Sequence, residues 1–157
     1  MKKINVFLMI VLILLIAFAV YFFVGGTLKA SVSTITAPAS DHPDAFASIR
    51  NVLDSHSAPQ QFGEISNDPG LYTLMDVTVS LANHGVFAAE WIDAAVTPAN
   101  GDVAVYSLTG EGSDVPARSV SQINLKIITT NPAAPRSIRL TYYVHGMLRT
   151  IDVATGV

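Results

Sequence analysis

The sequence predicts a mostly β protein, a small antiparallel β-sandwich with one short amphipathic helix, preceded by a single N-terminal transmembrane helix. Three observations carry that expectation. Residues 4–24 form an apolar run whose only strongly polar member is Asn5. Beyond residue 71 the hydrophobic period becomes two, the repeat of a strand with one buried face. Turn-forming residues then interrupt the alternation at a spacing of roughly 8–15 residues, as in an all-β sandwich of six or seven short strands.

At a rise of ~1.5 Å per residue, the apolar run extends roughly 31 Å as a helix, about the thickness of a bilayer's hydrocarbon core. Tyr21, Phe22 and Phe23 close its outer end, where interfacial aromatics are favoured. Lys2 and Lys3 precede the run and Lys29 follows it. The positive-inside bias therefore places residues 1–3 in the cytoplasm, a single-pass helix over 4–26 in the cell membrane, and the rest on the extracytoplasmic side. A cleavable signal peptide is the alternative. Its apolar core is ordinarily about 7–15 residues and ends at a small-x-small site. This run is longer, Leu28 is large at the −3 position before a cut after Ala30, and Val24 with Gly26 is only tolerable.

A chain of 157 residues has room for one domain of ordinary size. Every acidic residue lies at or beyond Asp41, and from residue 31 onward twelve acids face six bases, a net charge of −6. That balance offers no basic footprint for nucleic acid. There is no cysteine, which excludes disulfides, thiolate metal sites and cysteine nucleophiles, so the domain must be held by its core.

Residues 27–43 are rich in Ser, Thr, Ala and Pro and read as a spacer, with Val32 and Ile35 leaving room for a short first strand. The extracytoplasmic domain is then 44–157. It opens with Ala45, Phe46, Ile49, Val52 and Leu53 at helical spacing, with Pro43 or Asp44 suited to the first turn. Met75, Val77, Val79 and Leu81 make the first alternating strand, and Asn83-His84-Gly85 turns it. A second strand within residues 86–97 places Trp91 on one face and Ile92, Ala94 and Val96 on the other. Pro98, Asn100 and Gly101 mark the next turn. Residues 103–108 form a third strand, Ile123, Leu125 and Ile127 a fourth, and Ile138, Leu140, Tyr142 and Val144 a fifth. His145-Gly146 suits a two-residue hairpin turn into residues 147–153.

The strand running into Asn83-His84-Gly85, with the later proline-led segment Val115-Pro116-Ala117-Arg118-Ser119 feeding another alternating strand, resembles immunoglobulin-like and fibronectin-type-III-like modules of membrane-anchored bacterial envelope proteins. The resemblance covers residues 71–153 and implies an immunoglobulin-like fold, not an activity. The cysteine pair of antibody domains is missing.

Chemistry-bearing motifs are sparse. His42, His56, His84 and His145 all fall in loops or turns, outside any His-Glu-x-x-His spacing. Asp41, His42 and Asp44 are close in sequence but sit in the spacer. No Gly-x-Ser-x-Gly elbow or Ser-x-x-Lys motif occurs, and the Gly110–Asp114 loop lacks the lysine and helix of a phosphate loop. No catalytic residue, cofactor site or metal site is expected. Glu90 and Asp93 flank Trp91, an arrangement that can serve sugar binding or acid–base work; the preferred reading is a core tryptophan between solvated acids. Tyr143 should face outward with Leu148 opposite it, an apolar pair unless the helix over 44–53 covers it. Tyr143, Leu148, Trp91, Glu90 and Asp93 are thus the candidate partner surface.

The expected function is a membrane-anchored extracytoplasmic module that binds or assembles with a protein and is not an enzyme. Its partners would be the membrane, through the N-terminal helix, and a protein, with no role for nucleic acid. The alternatives are a structural or accessory subunit of an envelope complex, and a cell-wall or surface-polymer hydrolase using Glu90 or Asp93. The hairpin register makes one energetic statement testable. With His145-Gly146 as the turn, Leu140 opposes Ile151 on the core face, while Arg139 opposes Asp152 on the other. Leu140→Ala should cost about 2–5 kcal/mol in urea unfolding and Arg139→Ala should barely register; similar losses from both would mean a register slipped by one.

Overall fold

A computed structural model describes residues 2–24, 28–110 and 112–155. Helix α1 (Lys2–Val24) is the apolar run, and its Ile4–Tyr21 stretch is long and apolar enough to cross a bilayer, with none of it buried against the rest of the chain. Strand β1 (Leu28–Pro38) follows, then a 3-10 turn, helix α2 (Pro43–Asp54) and the two-residue β2 (Gln60–Gln61). Next come β3 (Thr73–Asn83), β4 (Glu90–Thr97), β5 (Asp102–Thr109), β6 (Val120–Thr129), β7 (Ser137–Val144) and β8 (Met147–Ala154).

The expected spacer over 27–43 is corrected by β1. From Leu28 opposite Asn83 to Pro38 opposite Thr73, it pairs antiparallel with β3 along its whole length, so the sheet begins at residue 28 and not after residue 43. The composition misleads because a strand needs period two more than hydrophobicity. Ala30, Val32 and Thr34 half-bury toward the core while Ser31, Ser33 and Ile35 face solvent. Main-chain bonding to β3 holds a segment whose side chains are mostly small and polar.

The strands form two antiparallel sheets, β1-β3-β6-β5-β2 and β4-β7-β8. Setting β2 aside, the first, second, fifth and fourth strands share one sheet and the third, sixth and seventh the other. Constant-type immunoglobulin sandwiches have the same order. Between the sheets lies the main core. Met75, Val77, Val79 and Leu81 meet Ile92, Ala94, Val96, Ile123, Leu125, Ile127, Ile138, Leu140, Tyr142 and Val144, all buried as the alternation requires. The hairpin register is also as expected, with Val144 opposite Met147, Tyr143 opposite Leu148, Leu140 opposite Ile151 and Arg139 opposite Asp152.

Helix α2 covers one end of the outer face of the larger sheet. Phe46, Ile49 and Leu53 pack there on Tyr72, Val103, Ala104 and Ile128 in a second core, and the Phe46 and Tyr72 rings stack at 5.7 Å. Because the sheet is covered on both faces at this end, β5 and β6 lose their alternation and bury consecutive residues.

The same end is closed by a polar clasp. Arg136 and Asp102, both with fully buried side chains, pair with the Arg136 Nη2–Asp102 Oδ1 distance at 2.5 Å and Nε at 2.9 Å from Oδ2. The remaining guanidinium hydrogens go to Thr129 Oγ1 and to the carbonyls of Asn131 and Ala134. The carboxylate also accepts from the Ala99 amide at 2.8 Å. The Arg136 backbone bonds Thr155 beyond β8. One residue thus ties the starts of β5 and β7 to the ends of β6 and β8.

The opposite end, where β1 begins, is fastened by Asn83 and Tyr142. The Asn83 amide donates to the carbonyls of Phe87 and Val115, and its oxygen accepts from the Gly85 amide at 2.9 Å. The Tyr142 hydroxyl accepts from the Leu28 amide at 3.1 Å, joining the first residue of β1 to the facing sheet. For the clasp, Asp102→Ala should cost about 3–5 kcal/mol in urea unfolding because it leaves a buried cation unpaired, and Arg136→Met added to Asp102→Leu should recover part of that loss.

Candidate contact surface

A β-bulge at the start of β4 shapes the surface. Glu90 lies opposite Tyr143 and Asp93 opposite Thr141, so β4 spends one residue more than β7 across this interval. The extra residue lets both Glu90 and Trp91 face outward before Ile92 returns to the core. Trp91 has φ +54°, in the left-handed region, which costs a residue with a Cβ about 1–3 kcal/mol. The loop from β5 to β6 holds it there. The Trp91 amide donates to Asp114 Oδ1 at 3.1 Å, the Ile92 amide to the Ser113 carbonyl, and the Gly112 amide to the Ile92 carbonyl. Ala89 and Val115 form a β-bridge beside them.

Trp91 is consequently 71% exposed, Leu148 58% and Tyr143 40%. The expectation of a core tryptophan is corrected, since the bulge turns its ring to solvent. Helix α2 does not cover the Tyr143–Leu148 pair either, because it packs on the other sheet. Glu90, Trp91, Tyr143 and Gly146 line an open depression of about 430 Å³. Asp93 is exposed on the same sheet face but is not part of that lining, so Glu90 and Asp93 do not bracket the depression as a pair. His145 and Gly146 both take positive φ in the hairpin turn, as a two-residue primed turn requires, and the His145 ring stands edge-on to Phe87.

Farther along this face, toward the Arg136 clasp, the surface becomes polar. Thr141 lies between Asp93 and Thr150, and Arg139 between Ala95 and Asp152. Arg139 Nε donates to Asp152 Oδ1 at 2.9 Å. That hydrogen bond holds the Asp152 carboxyl below, and the Arg139 guanidinium above, their ordinary ranges. The carboxyl's share of stability is present above its unfolded pKa and lost as pH falls through the depressed folded value. Both groups are exposed, so the share is small.

A second groove of about 380 Å³ runs between α2 and β5, lined by Ala45, Ile49, Val52, Tyr106 and Lys126 among others. Burial, with Asp76 adding to it, pushes the Tyr106 phenol up to about 12. Among the described residues, no three His, Asp or Glu side chains converge as metal ligands would. Two features escape a reading of the sequence: the exposed Val120, at the same end as Trp91, and the position of β1 at the edge of its sheet. Val120 had a signal in sharing the outward parity of β6 with Gln122, Asn124 and Lys126, and unlike Ile128 it has no α2 above it.

No family model and no curated protein matches the chain. Among solved structures it is similar to SoR45, a Northeast Structural Genomics Consortium target, at 16% identity over 80% of this chain and 81% of that one, with a TM-score of 0.48. The GAE domain of yeast GGA1 has 9% identity over 54% of this chain and 79% of that one, TM-score 0.44. A FixG-related protein from Vibrio parahaemolyticus has 14% identity over 80% and 92%, TM-score 0.39. Likenesses this distant carry no functional argument.

The strained position of Trp91 yields a sign test. Trp91→Gly relieves the left-handed backbone and removes only an exposed ring, so stability in urea unfolding should change by no more than about 1 kcal/mol. Trp91→Val keeps the strain with a β-branched side chain and should be less stable than Trp91→Gly.

Proposed function

We propose that this chain is a single-pass, membrane-anchored module whose immunoglobulin-like sandwich lies outside the cytoplasm and works by protein contact, without catalysis of its own. The observation that carries this reading is the outer edge of β1. The larger sheet has two edges. One is β2, only two residues long, and the other is the eleven-residue β1. From Ala30 to Ala37 this edge has no charge, proline or glycine, and its register with β3 runs without a bulge.

Proteins ordinarily blunt such edges with lysine, proline or a bulge, because an open edge templates pairing with another chain. The stretch over 30–37, between Lys29 and Pro38, is unblunted and suits strand addition, in which main-chain bonds supply affinity and alternate side chains supply selectivity. Here the outward side chains are Ser31, Ser33 and Ile35, and the acidic body favours a neutral or basic partner. Membrane anchorage is supported by the bilayer length of α1, and the orientation by the lysines before it.

Ser33→Cys should react with a membrane-impermeant maleimide in intact cells and Asn5→Cys should not; the reverse pattern would overturn the orientation. Carrying a thiol-linked photocrosslinker in native membranes, the Ser33→Cys chain should give one discrete protein adduct. Thr36→Lys, which blunts the edge from an exposed position, should remove that adduct. An adduct indifferent to Thr36→Lys, or none at all, would mean that the edge is not the contact.

A further inference from the structure

We infer that Trp91, Tyr143 and Leu148 are seated in the headgroup interface of the bilayer that α1 spans, so that the sandwich rests on its own membrane instead of standing off it. This inference rests on the proposed reading of α1 as the membrane anchor.

Reach is the first argument. Only residues 25–27 separate Val24 at the end of α1 from Leu28 at the start of β1. Four Cα-to-Cα steps span at most ~14 Å, and the interfacial layer on each side of the hydrocarbon core is itself roughly 5–7 Å thick. Leu28 therefore lies within ~14 Å of the end of α1, at most roughly 7–9 Å beyond the headgroup layer. The Leu28 amide is bonded to the Tyr142 hydroxyl, and Tyr142 adjoins Tyr143 in β7. The apolar row lies at that same end of the sandwich, beside the hairpin turn at His145 and Gly146.

Distribution is the second argument. Across the outer face of the smaller sheet, the large apolar side chains all lie in the row nearest the anchor, where Glu90 is the one charged neighbour. The next rows are Asp93, Thr141 and Thr150, then Ala95, Arg139 and Asp152. Val120, 68% exposed on the other sheet, lies opposite Ala82 at the same end. A face with its aromatics at the anchor and its ion pair away from it has the gradient of a membrane interface, where tryptophan and tyrosine place a ring among lipids and a polar tip in water, and Glu90 at the rim can keep its carboxylate in the aqueous headgroup layer. Size is the third argument. Three side chains fall well short of the ~800 Å² per partner of a standard protein interface, whereas interfacial anchoring acts residue by residue.

Trp91 is the chain's single tryptophan, so its fluorescence reports on the seat directly. The full chain is reconstituted in phosphatidylcholine vesicles, and its association is checked by flotation. The expected result is a blue-shifted emission, shielded from aqueous iodide and quenched by lipids brominated near the headgroup end of the acyl chain. Replacing both exposed partners, Tyr143→Ser with Leu148→Ser, should remove most of the bromolipid quenching while the unfolding transition is retained. A chain that floats with the vesicles but is quenched by iodide and not by bromolipid overturns the seat alone. Shielding from both quenchers also overturns it, and identifies a protein face in its place. A chain that does not float overturns the anchor reading and the seat together.

Discussion

A guanidinium and a carboxylate, both without solvent exposure, hold the end of the sandwich farthest from α1. Burying either ion alone would be prohibitive, so the surrounding backbone is organised to satisfy both. Arg136 needs acceptors for every N–H, and the loop between β6 and β7 supplies the Asn131 and Ala134 carbonyls by turning tightly around it. Asp102 needs donors, and receives them from Arg136 and the Ala99 amide. The result fixes where β5 and β7 start, and therefore the register from which both run toward the opposite end. The position of Tyr143 beside Glu90 descends from that starting point.

How far this was legible in the sequence follows from which forces are local. The hairpin of β7 and β8 was legible to the residue because its turn is a dipeptide and its inward face is uninterrupted. The core strands were legible for the same reason. β1 was obscured because serine and threonine serve a spacer and a strand edge equally well, and what selects the strand is main-chain pairing with β3, some 45 residues away in sequence. The outward set of Trp91, Tyr143 and Leu148 was partly legible from alternation, but the exposure of Trp91 depends on a bulge stabilised by Asp114 and Ser113. The Asp102–Arg136 pair left no local mark at all, since its two members are 34 residues apart in unrelated turn sequences.

The two ends of the sandwich are held by different chemistry, and the difference bears on what each is free to do. At the clasp the polar groups are sequestered and charge-paired. At the anchor end the fastenings are neutral: an asparagine amide spanning three carbonyl and amide groups, and a tyrosine hydroxyl on a backbone amide. Neutral, internally satisfied hydrogen bonds tolerate a low-dielectric boundary that would weaken an exposed ion pair's hydration. On the proposed seating, the exposed pair Arg139–Asp152 would sit away from that boundary, on the same sheet face but beyond the threonine row.

The proposed seat and the proposed β1 edge also constrain each other. If the anchor-end row of the smaller sheet meets the lipid, the larger sheet turns its outer face away from the membrane, and that face is polar where α2 does not cover it. Thr78 bonds Asn124 across the strands, and Lys126 pairs with Asp76 at 2.7 Å. On that reading its edge strand, β1, would start at the membrane and rise along the side of the domain, with β8 of the facing sheet beside it. A partner adding a strand there would be aligned antiparallel or parallel to a chain leaving the bilayer, which suits a second membrane-tethered polypeptide better than a freely diffusing globular one. Confinement to the same membrane raises the effective concentration of such a partner, so a main-chain contact with few distinctive side chains is enough for pairing. The weak side-chain character of β1 and the closeness of the domain to its anchor are then parts of one arrangement, in which location substitutes for affinity.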